Sequence, residues 1–231
     1  MIRLTQVHFW YREGEPILRG LDLEIQAGLT LLLGPNGCGK STLLKVVAGV
    51  EKPDRGRAEL AGRDLWVEEV EARRSLAYVP EQPDLTPYAT IGDVIGLVCR
   101  LRGEQPERGR AVLERVGLGQ MTQRSIRELS MGQRRRAILA AAWIAHPRII
   151  LLDEPLEAMD RAMREEILAW IDTALAYGAC VVIATHEIEP FVLKAVRAVT
   201  VNNGVCRVYD QLPAGEPERI ALLESLSRGK A

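Results

Sequence analysis

The chain has 231 residues, 47% of them hydrophobic and 5% aromatic, with 30 Lys and Arg against 31 Asp and Glu for a net charge of -1. That length supports one large domain or two closely packed lobes around a mainly aliphatic core, and the balanced charge excludes the global basic excess of a dedicated nucleic-acid binder. No apolar run approaches the roughly 20 residues needed to span a bilayer and Met1–Gln6 lacks the apolar core of a secretory signal, so a cytoplasmic protein is expected unless a partner carries it to a membrane.

Ile2–Tyr11 alternates loosely and Leu21–Ile25 alternates cleanly, which predicts two strands, the second half-buried. The apolar run Leu29–Leu33 reads as a buried strand and leads into Gly34-Pro35-Asn36-Gly37-Cys38-Gly39-Lys40-Ser41-Thr42. This segment matches the phosphate-loop pattern G-x-x-x-x-G-K-[ST]. A helical run from Thr42 to Ala48 follows and stops at Gly49. Strand, glycine loop and helix together aim backbone N–H groups and a helix N-terminus at an anion. Lys40 is expected to supply a point charge for the β- and γ-phosphates, and the Ser41 hydroxyl can ligate Mg²⁺. A glycine-rich turn with a chance lysine does not account for the matching flanks.

Ala58–Leu60 and Leu76–Val79 are predicted short strands. Gln82 follows the second, placed either to reach Mg²⁺ and a water or simply to form a turn. From Ile91 to Gly117 the spacing becomes helical, with Ile91, Val94, Ile95, Val98 and Leu101 along one face. After the break at Gly103–Pro106, Leu113, Val116 and Leu118 fall on a second helix. Leu129–Gln133 leads into a helix over Arg134–Ala145, where Ser130 is a cap and Gly132 admits close approach of an anion; a cap alone is the simpler reading. The basic run Arg134–Arg136 is read as a solvated helix face.

Ile149–Leu152 and Val181–Ala184 are continuous apolar runs, as expected of parallel strands covered on both faces. A helix over Met163–Ala176 joins them. Asp153 would close the first strand at its carboxyl end, where ligands gather in α/β sheets, and suits Mg²⁺. Glu154 is placed to accept a proton from an attacking water. Two solvated acids at a strand end are the alternative, which the upstream phosphate loop disfavours. His186 lies just past the second strand. Pro213–Ala231 reads as a loop and a short amphipathic helix over Arg219–Leu226 that packs back on the domain. Cys38, Cys99, Cys180 and Cys206 are scattered without a Cys-x-x-Cys pair, which predicts four reduced thiols.

The phosphate loop, Gln82, Leu129–Gln133, Asp153-Glu154, Asp160 and His186, in that order, resemble the ATP-binding-cassette (ABC) ATPases, specifically the nucleotide-binding subunit of an ABC transporter. The resemblance runs from Tyr11 to at least His186. It implies a single α/β domain over 1–231: a phosphate-loop core with a mainly parallel sheet and an antiparallel β subdomain (about 1–84 and 146–212), an inserted helical lobe (about 85–145), and a C-terminal helix (about 216–231). It implies that Tyr11 stacks on adenine, with Phe9 or Trp10 as alternatives. Gly34 to Thr42 would be the Walker A loop and Gln82 the Q-loop residue, touching Mg²⁺. Ser130, Gly132 and Gln133 belong to the signature motif, Asp153 to Walker B, and Asp160 to the D-loop. Glu154 would be the catalytic base and His186 the γ-phosphate switch.

The cofactors implied are ATP and Mg²⁺. The partners implied are a second cassette, identical or different, in a head-to-tail dimer and a separate membrane permease on the cytoplasmic face; no nucleic acid is expected. In such a dimer the Ser130 helix end of one subunit faces the γ-phosphate held by the other. The permease is expected to dock on Gln82–Arg102, through Pro83, Leu85, Tyr88 and Ile91. Leu85–Val94 is similar to exporter-type, ABC-2-like subunits, so export is expected over import. A soluble ABC ATPase acting on the ribosome or DNA is the other class. Met131 departs from the usual glycine of the signature. Leu156 and Glu157 depart from the usual small residues, and an acid at 157 threatens dimer closure by like-charge repulsion.

Overall fold

The computed structural model describes residues 1–82 and 85–229. The N-terminal part runs β1 (Ile2–Trp10), β2 (Pro16–Ile25), β3 (Gly28–Leu33), α1 (Lys40–Ala48), β4 (Arg55–Leu60), β5 (Arg63–Asp64), α2 (Glu69–Arg73) and β6 (Leu76–Val79). Three helices follow, α3 (Ile91–Arg102), α4 (Pro106–Arg115) and α5 (Met131–Trp143). The chain then returns through β7 (Ile149–Asp153), α6 (Arg161–Ala176), β8 (Cys180–Ala184), β9 (Ala195–Asn202), β10 (Val205–Tyr209) and α7 (Glu216–Ser227).

Two sheets result. The antiparallel one has the order β2-β1-β4-β5, and the larger one β10-β9-β3-β8-β7-β6. In the larger sheet every pairing from β9 to β6 is parallel, and only the edge pair β10–β9 is antiparallel. The expected mainly parallel core, antiparallel β subdomain and inserted helical segment are all present.

The period of two along β3 places the sheet between two cores. Leu29, Leu31 and Leu33 face the helical side, with Trp143, Trp170 and Phe191. Leu32 faces the other side, with Leu43 and Leu44 of α1 and with Ile2 and Leu4 of β1. Trp143 of α5 and Trp170 of α6 meet with ring centroids 5.8 Å apart, which ties the helical lobe to the core.

Several expectations shift. β2 begins at Pro16, five residues before the clean alternation, because its first half pairs with β1 regardless of pattern. On α3 the buried stripe is Ile91, Ile95 and Cys99, while Leu101 is 74% exposed. A straight helix turns about 100° per residue, so the stripe cannot hold both 91 and 101. Val116 and Leu118 are buried but lie beyond the end of α4. β5, α2, β9 and β10 are not among the expected elements; β9 adds parallel to β3, and β10 adds antiparallel to β9. α7 packs back through Leu223 and Leu226, as expected. The four cysteines are free thiols. Among the described residues no helix is long and apolar enough to cross a membrane.

Leu31 is fully buried in β3 between β8 and β9. Leu31→Ala should lower the unfolding free energy by about 2–5 kcal/mol, read from the midpoint shift of a urea titration.

Candidate active site

β3, β7 and β8 end side by side, and the turns after them enclose a cleft of about 610 Å³. The turn after β3 is the glycine loop. Gly34 has φ 141°, and a Cβ there would sit 2.6 Å from the Val201 carbonyl oxygen and 2.9 Å from Cys38 Sγ, so only glycine fits. Lys40 Nζ donates to the carbonyls of Gly34 (2.8 Å) and Pro35 (3.2 Å), which curls the loop around its ammonium. α1 starts without a side-chain cap: Gly39 precedes it in a left-handed conformation. Its first-turn N–H groups are therefore left for an anion beside a buried lysine.

Asp153, the last residue of β7, is only 3% exposed. Burial raises its carboxyl above the ordinary value; the hydrogen bond with Ser41 and the ammoniums of Lys40 and Lys45 oppose the rise, and Glu81 adds to it. One carboxylate and one hydroxyl beside a phosphate cradle match Mg²⁺, which takes one or two protein carboxylates plus phosphate and water. No cluster of three or more His, Cys, Asp or Glu suited to a metal occurs among the described residues.

Glu154 turns the chain off β7. Its φ is +47°, a left-handed conformation uncommon outside glycine, and its N–H donates to Ala184 O at 2.8 Å. The carboxylate then points to the turn after β8. It accepts from Thr185 Oγ1 at 2.9 Å and from the His186 N–H at 3.0 Å. His186 Nε2 lies 3.7 Å from Glu154 Oε1. Burial pushes the Glu154 carboxyl up, against the Thr185 hydrogen bond and the His186 imidazole.

Asn36, Gly37, Gly39, Lys40, Ser41, Thr42, Asp153, Glu154 and His186 thus line one cleft. Pro35 and Cys38 line a neighbouring groove with the β9–β10 turn instead. Gln82 is exposed and is not part of the cleft wall, which Glu81 joins in its place. Tyr11 is 54% exposed and rests edge-on against Phe9, ring centroids 4.8 Å apart. Phe9 is buried in the core and Trp10 faces Arg55, so Tyr11 is the free ring of the three.

The Leu129–Gln133 segment lies outside the cleft. Ser130 Oγ accepts from Gln133 N at 3.3 Å and Gln133 Oε1 accepts from Ser130 N at 3.0 Å, a reciprocal cap on α5. A Cβ at Gly132 would meet nothing within 4 Å, so within this chain nothing requires glycine there. Asp160 caps α6 by accepting from Met163 N at 2.9 Å and pairs with Arg136.

Two site residues escaped the sequence reading. Thr185, between the predicted strand and His186, has no expected role, yet its hydroxyl donates to the Glu154 carboxylate. Arg135 is corrected outright: it is 5% exposed rather than solvated, and its guanidinium donates to the carbonyls of Glu154 and Glu157, each at 2.7 Å. Arg134 and Arg136 are also engaged, with the Ile126 and Arg127 carbonyls and with Asp160. The missed signal was spacing, because Arg135, Leu139 and Trp143 share one helix stripe at i, i+4 and i+8. Glu157 has its own counter-charge in Arg135, 3.4 Å away. Of the expected docking residues, Ile91 is core and not surface, Leu85 packs against the core, Tyr88 is 81% exposed, and Pro83 lies outside the described residues.

A parallel sheet with a phosphate cradle, a buried Asp and an oriented Glu at its carboxyl edge defines a phosphate-loop ATPase. Residues 18–157 match the family model described as ABC transporter, and the chain belongs to that family. It is 36% identical to the taurine import ATP-binding protein TauB of Pseudomonas aeruginosa over 221 residues, 93% of this chain and 82% of that protein. It is 38% identical over 181 residues to the Fe(3+) ions import ATP-binding protein FbpC 1 of Rhodococcus jostii, 75% of this chain and 52% of that one. Its fold superimposes on the dimeric post-hydrolysis structure of the ATP-binding cassette MJ0796 bound to ADP and Pi, with a TM-score of 0.78 and 26% identity, over 90% of this chain and 98% of that one. The protein is an ATP-binding ABC transporter ATPase, which couples ATP hydrolysis to transport.

Because burial raises the Glu154 carboxyl, its ionisation costs the folded state some stability. The native state holds the proton to higher pH than the unfolded chain, so this cost appears as pH rises from the unfolded value through the raised one. Glu154→Gln without nucleotide should therefore melt above the parent at pH 7, with the gap closing as pH falls through that window in a series of thermal melts.

Proposed function

We propose that the cleft binds MgATP and that Glu154 is the general base of its hydrolysis. The observation that carries this is the fixed Glu154 carboxylate in one cleft with Ser41, Asp153 and the Lys40-curled loop. Gly34 to Thr42 would wrap the phosphates and Lys40 would turn its ammonium to the β- and γ-phosphates. Ser41 and Asp153 would hold Mg²⁺, which supplies charge neutralisation on the phosphate oxygens. Thr185 and the His186 N–H would hold the Glu154 carboxylate toward an attacking water, and the His186 ring would contact the γ-phosphate. Tyr11 would stack on adenine. Gln82 would have to move from its exposed position to meet Mg²⁺ and water, a role for a hinge between the lobes.

The outward-facing Ser130, Gly132 and Gln133 acquire a task in a head-to-tail dimer. There the α5 N-terminus would cover the nucleotide of the other subunit, and the open space at Gly132 would admit its phosphates closely. Asp160 would lie near that interface. The MJ0796 cassette forms a dimer, which supports this assembly.

We further infer a separate permease as partner, bound on the cytoplasmic face of a membrane. Tyr88, Leu97 and Leu101 leave apolar surface exposed on the helical lobe, and that surface suits a membrane subunit's cytoplasmic helix. The export direction expected from Leu85–Val94 has no support in the relatives described above. Both are named for import, and we favour import.

Glu154→Gln should retain MgATP binding and hydrolyse it about 10²–10⁴-fold more slowly, the range for loss of a general base. Lys40→Ala should lose nucleotide affinity. Fluorescent-nucleotide titration with phosphate-release assays separates the two; parent-like turnover by Glu154→Gln would remove the base assignment. Tyr88→Asp in the tagged protein should keep its ATPase yet lose a copurifying multi-spanning membrane protein; unchanged copurification would move the docking site elsewhere.

A further inference from the structure

We propose that Arg135 is a positioning residue for hydrolysis, a guanidinium clamp that holds the Glu154 turn in its working conformation and ties it to α5. The proposal rests on the reading of Glu154 as the base. Arg135 is 5% exposed. Its Nη1 donates to Glu157 O and its Nη2 to Glu154 O, both at 2.7 Å. The nearest carboxylate, Glu157, is 3.4 Å from Nη1 and its side chain is 60% exposed. The buried charge therefore meets mainly two carbonyl oxygens of one turn. An apolar residue of similar volume would serve the packing at lower desolvation cost, so the charge points to a task other than filling space.

That turn needs holding. Glu154 has φ +47° and Ala158 φ +55°, two left-handed non-glycine residues within five positions, each strained relative to relaxed backbone. The turn's own hydrogen bonds are long, 3.3 Å for Glu157 N to Glu154 O and 3.4 Å for Met159 N to Leu156 O. The shorter bonds come from outside the turn: 2.7 Å to each of two carbonyls from Arg135, and 2.8 Å from Glu154 N to Ala184 O. In this backbone conformation the Glu154 carboxylate meets Thr185 Oγ1 and His186 N. The planar fork of a guanidinium spans two carbonyls at once, which a lysine ammonium does not reproduce.

The clamp also has a direction. Arg135 lies five residues after Ser130, about one and a half turns into α5. A shift of the α5 N-terminus would therefore pull on the Glu154 carbonyl. Whatever engages the Gly132 surface is then felt at the carboxylate through one side chain, without contact between the two.

The test is steady-state ATPase kinetics on the full chain with Arg135→Lys, Arg135→Ala, Glu154→Gln and the double variant Arg135→Lys/Glu154→Gln. For Arg135→Lys we expect kcat to fall about 10–100-fold, the scale of a displacement near 1 Å, with KM for MgATP within about threefold of the parent. In Arg135→Ala, low-millimolar guanidinium chloride should restore several-fold of the lost rate and methylammonium chloride should not. The double variant should be no slower than Glu154→Gln alone, because the clamp acts through that carboxylate. Parent-like kcat in a folded Arg135→Lys overturns the clamp, as does a further drop of the same factor in the double variant. If Arg135→Ala does not fold, Arg135→Lys and the double variant decide alone. Parent-like turnover by Glu154→Gln instead condemns the base reading, and the clamp with it.

Discussion

The level ending of three parallel strands is the constraint from which the site follows. Leu32 of β3 lies opposite Ala184 of β8, and Ala184 lies opposite Asp153 of β7. The turns that leave these strands therefore start from one line and face one cleft, where helices and turns present N–H groups and polar side chains to a ligand. The register is pinned from both sides. Ile150 and Leu152 of β7 sit in the core under the helical lobe, while Ile149 and Leu151 sit in the core shared with α1 and the antiparallel sheet. A slip of one residue would exchange those faces and turn Asp153 away from Ser41.

Charge is concentrated where water is scarce. Lys40, Asp153 and Arg135 are all buried, and ionised groups are costly there unless they find partners. Each partner found is also a geometric restraint. Lys40 holds the loop carbonyls, and Arg135 holds the turn that carries Glu154. Burial still raises the Asp153 and Glu154 carboxyls, so their partners offset the desolvation cost only in part.

The helical lobe is joined to this core by packing and by a few polar side chains. Trp143 against Trp170 supplies apolar area, and Arg135 and Arg136 reach from α5 to the Glu154–Asp160 segment. Meanwhile the start of α5 carries an exposed Met131, and Gly132 has open space beside it. One turn further along the same helix, Arg135 is fixed to the turn that follows β7. The acid at Glu157 does not stand as an isolated charge beside this region, because Arg135 neutralises it in part.

Much of this was legible in the linear sequence because the relevant physics is local. Gly34 to Thr42 declares a loop that must curl, since glycine permits backbone angles and approaches that other residues do not. Ile149–Asp153 and Cys180–Ala184 declare covered parallel strands, since no solvated strand is apolar throughout. Ser130 with Gln133 declares a helix start, since each satisfies the other's backbone within one turn. These determined the fold class and the sheet edge at which the cleft lies. The tertiary structure alone decided which side chains complete it. Thr185 becomes a donor to Glu154 only because β8 ends level with β7, and Arg135 becomes a buried clamp only because α5 lies across the turn that follows β7. Gln82 and Ile91 parted from their expected places for the same reason, one left outside the cleft and the other drawn into the core. Contacts between residues distant in sequence depend on register and packing angle, and no short pattern encodes either.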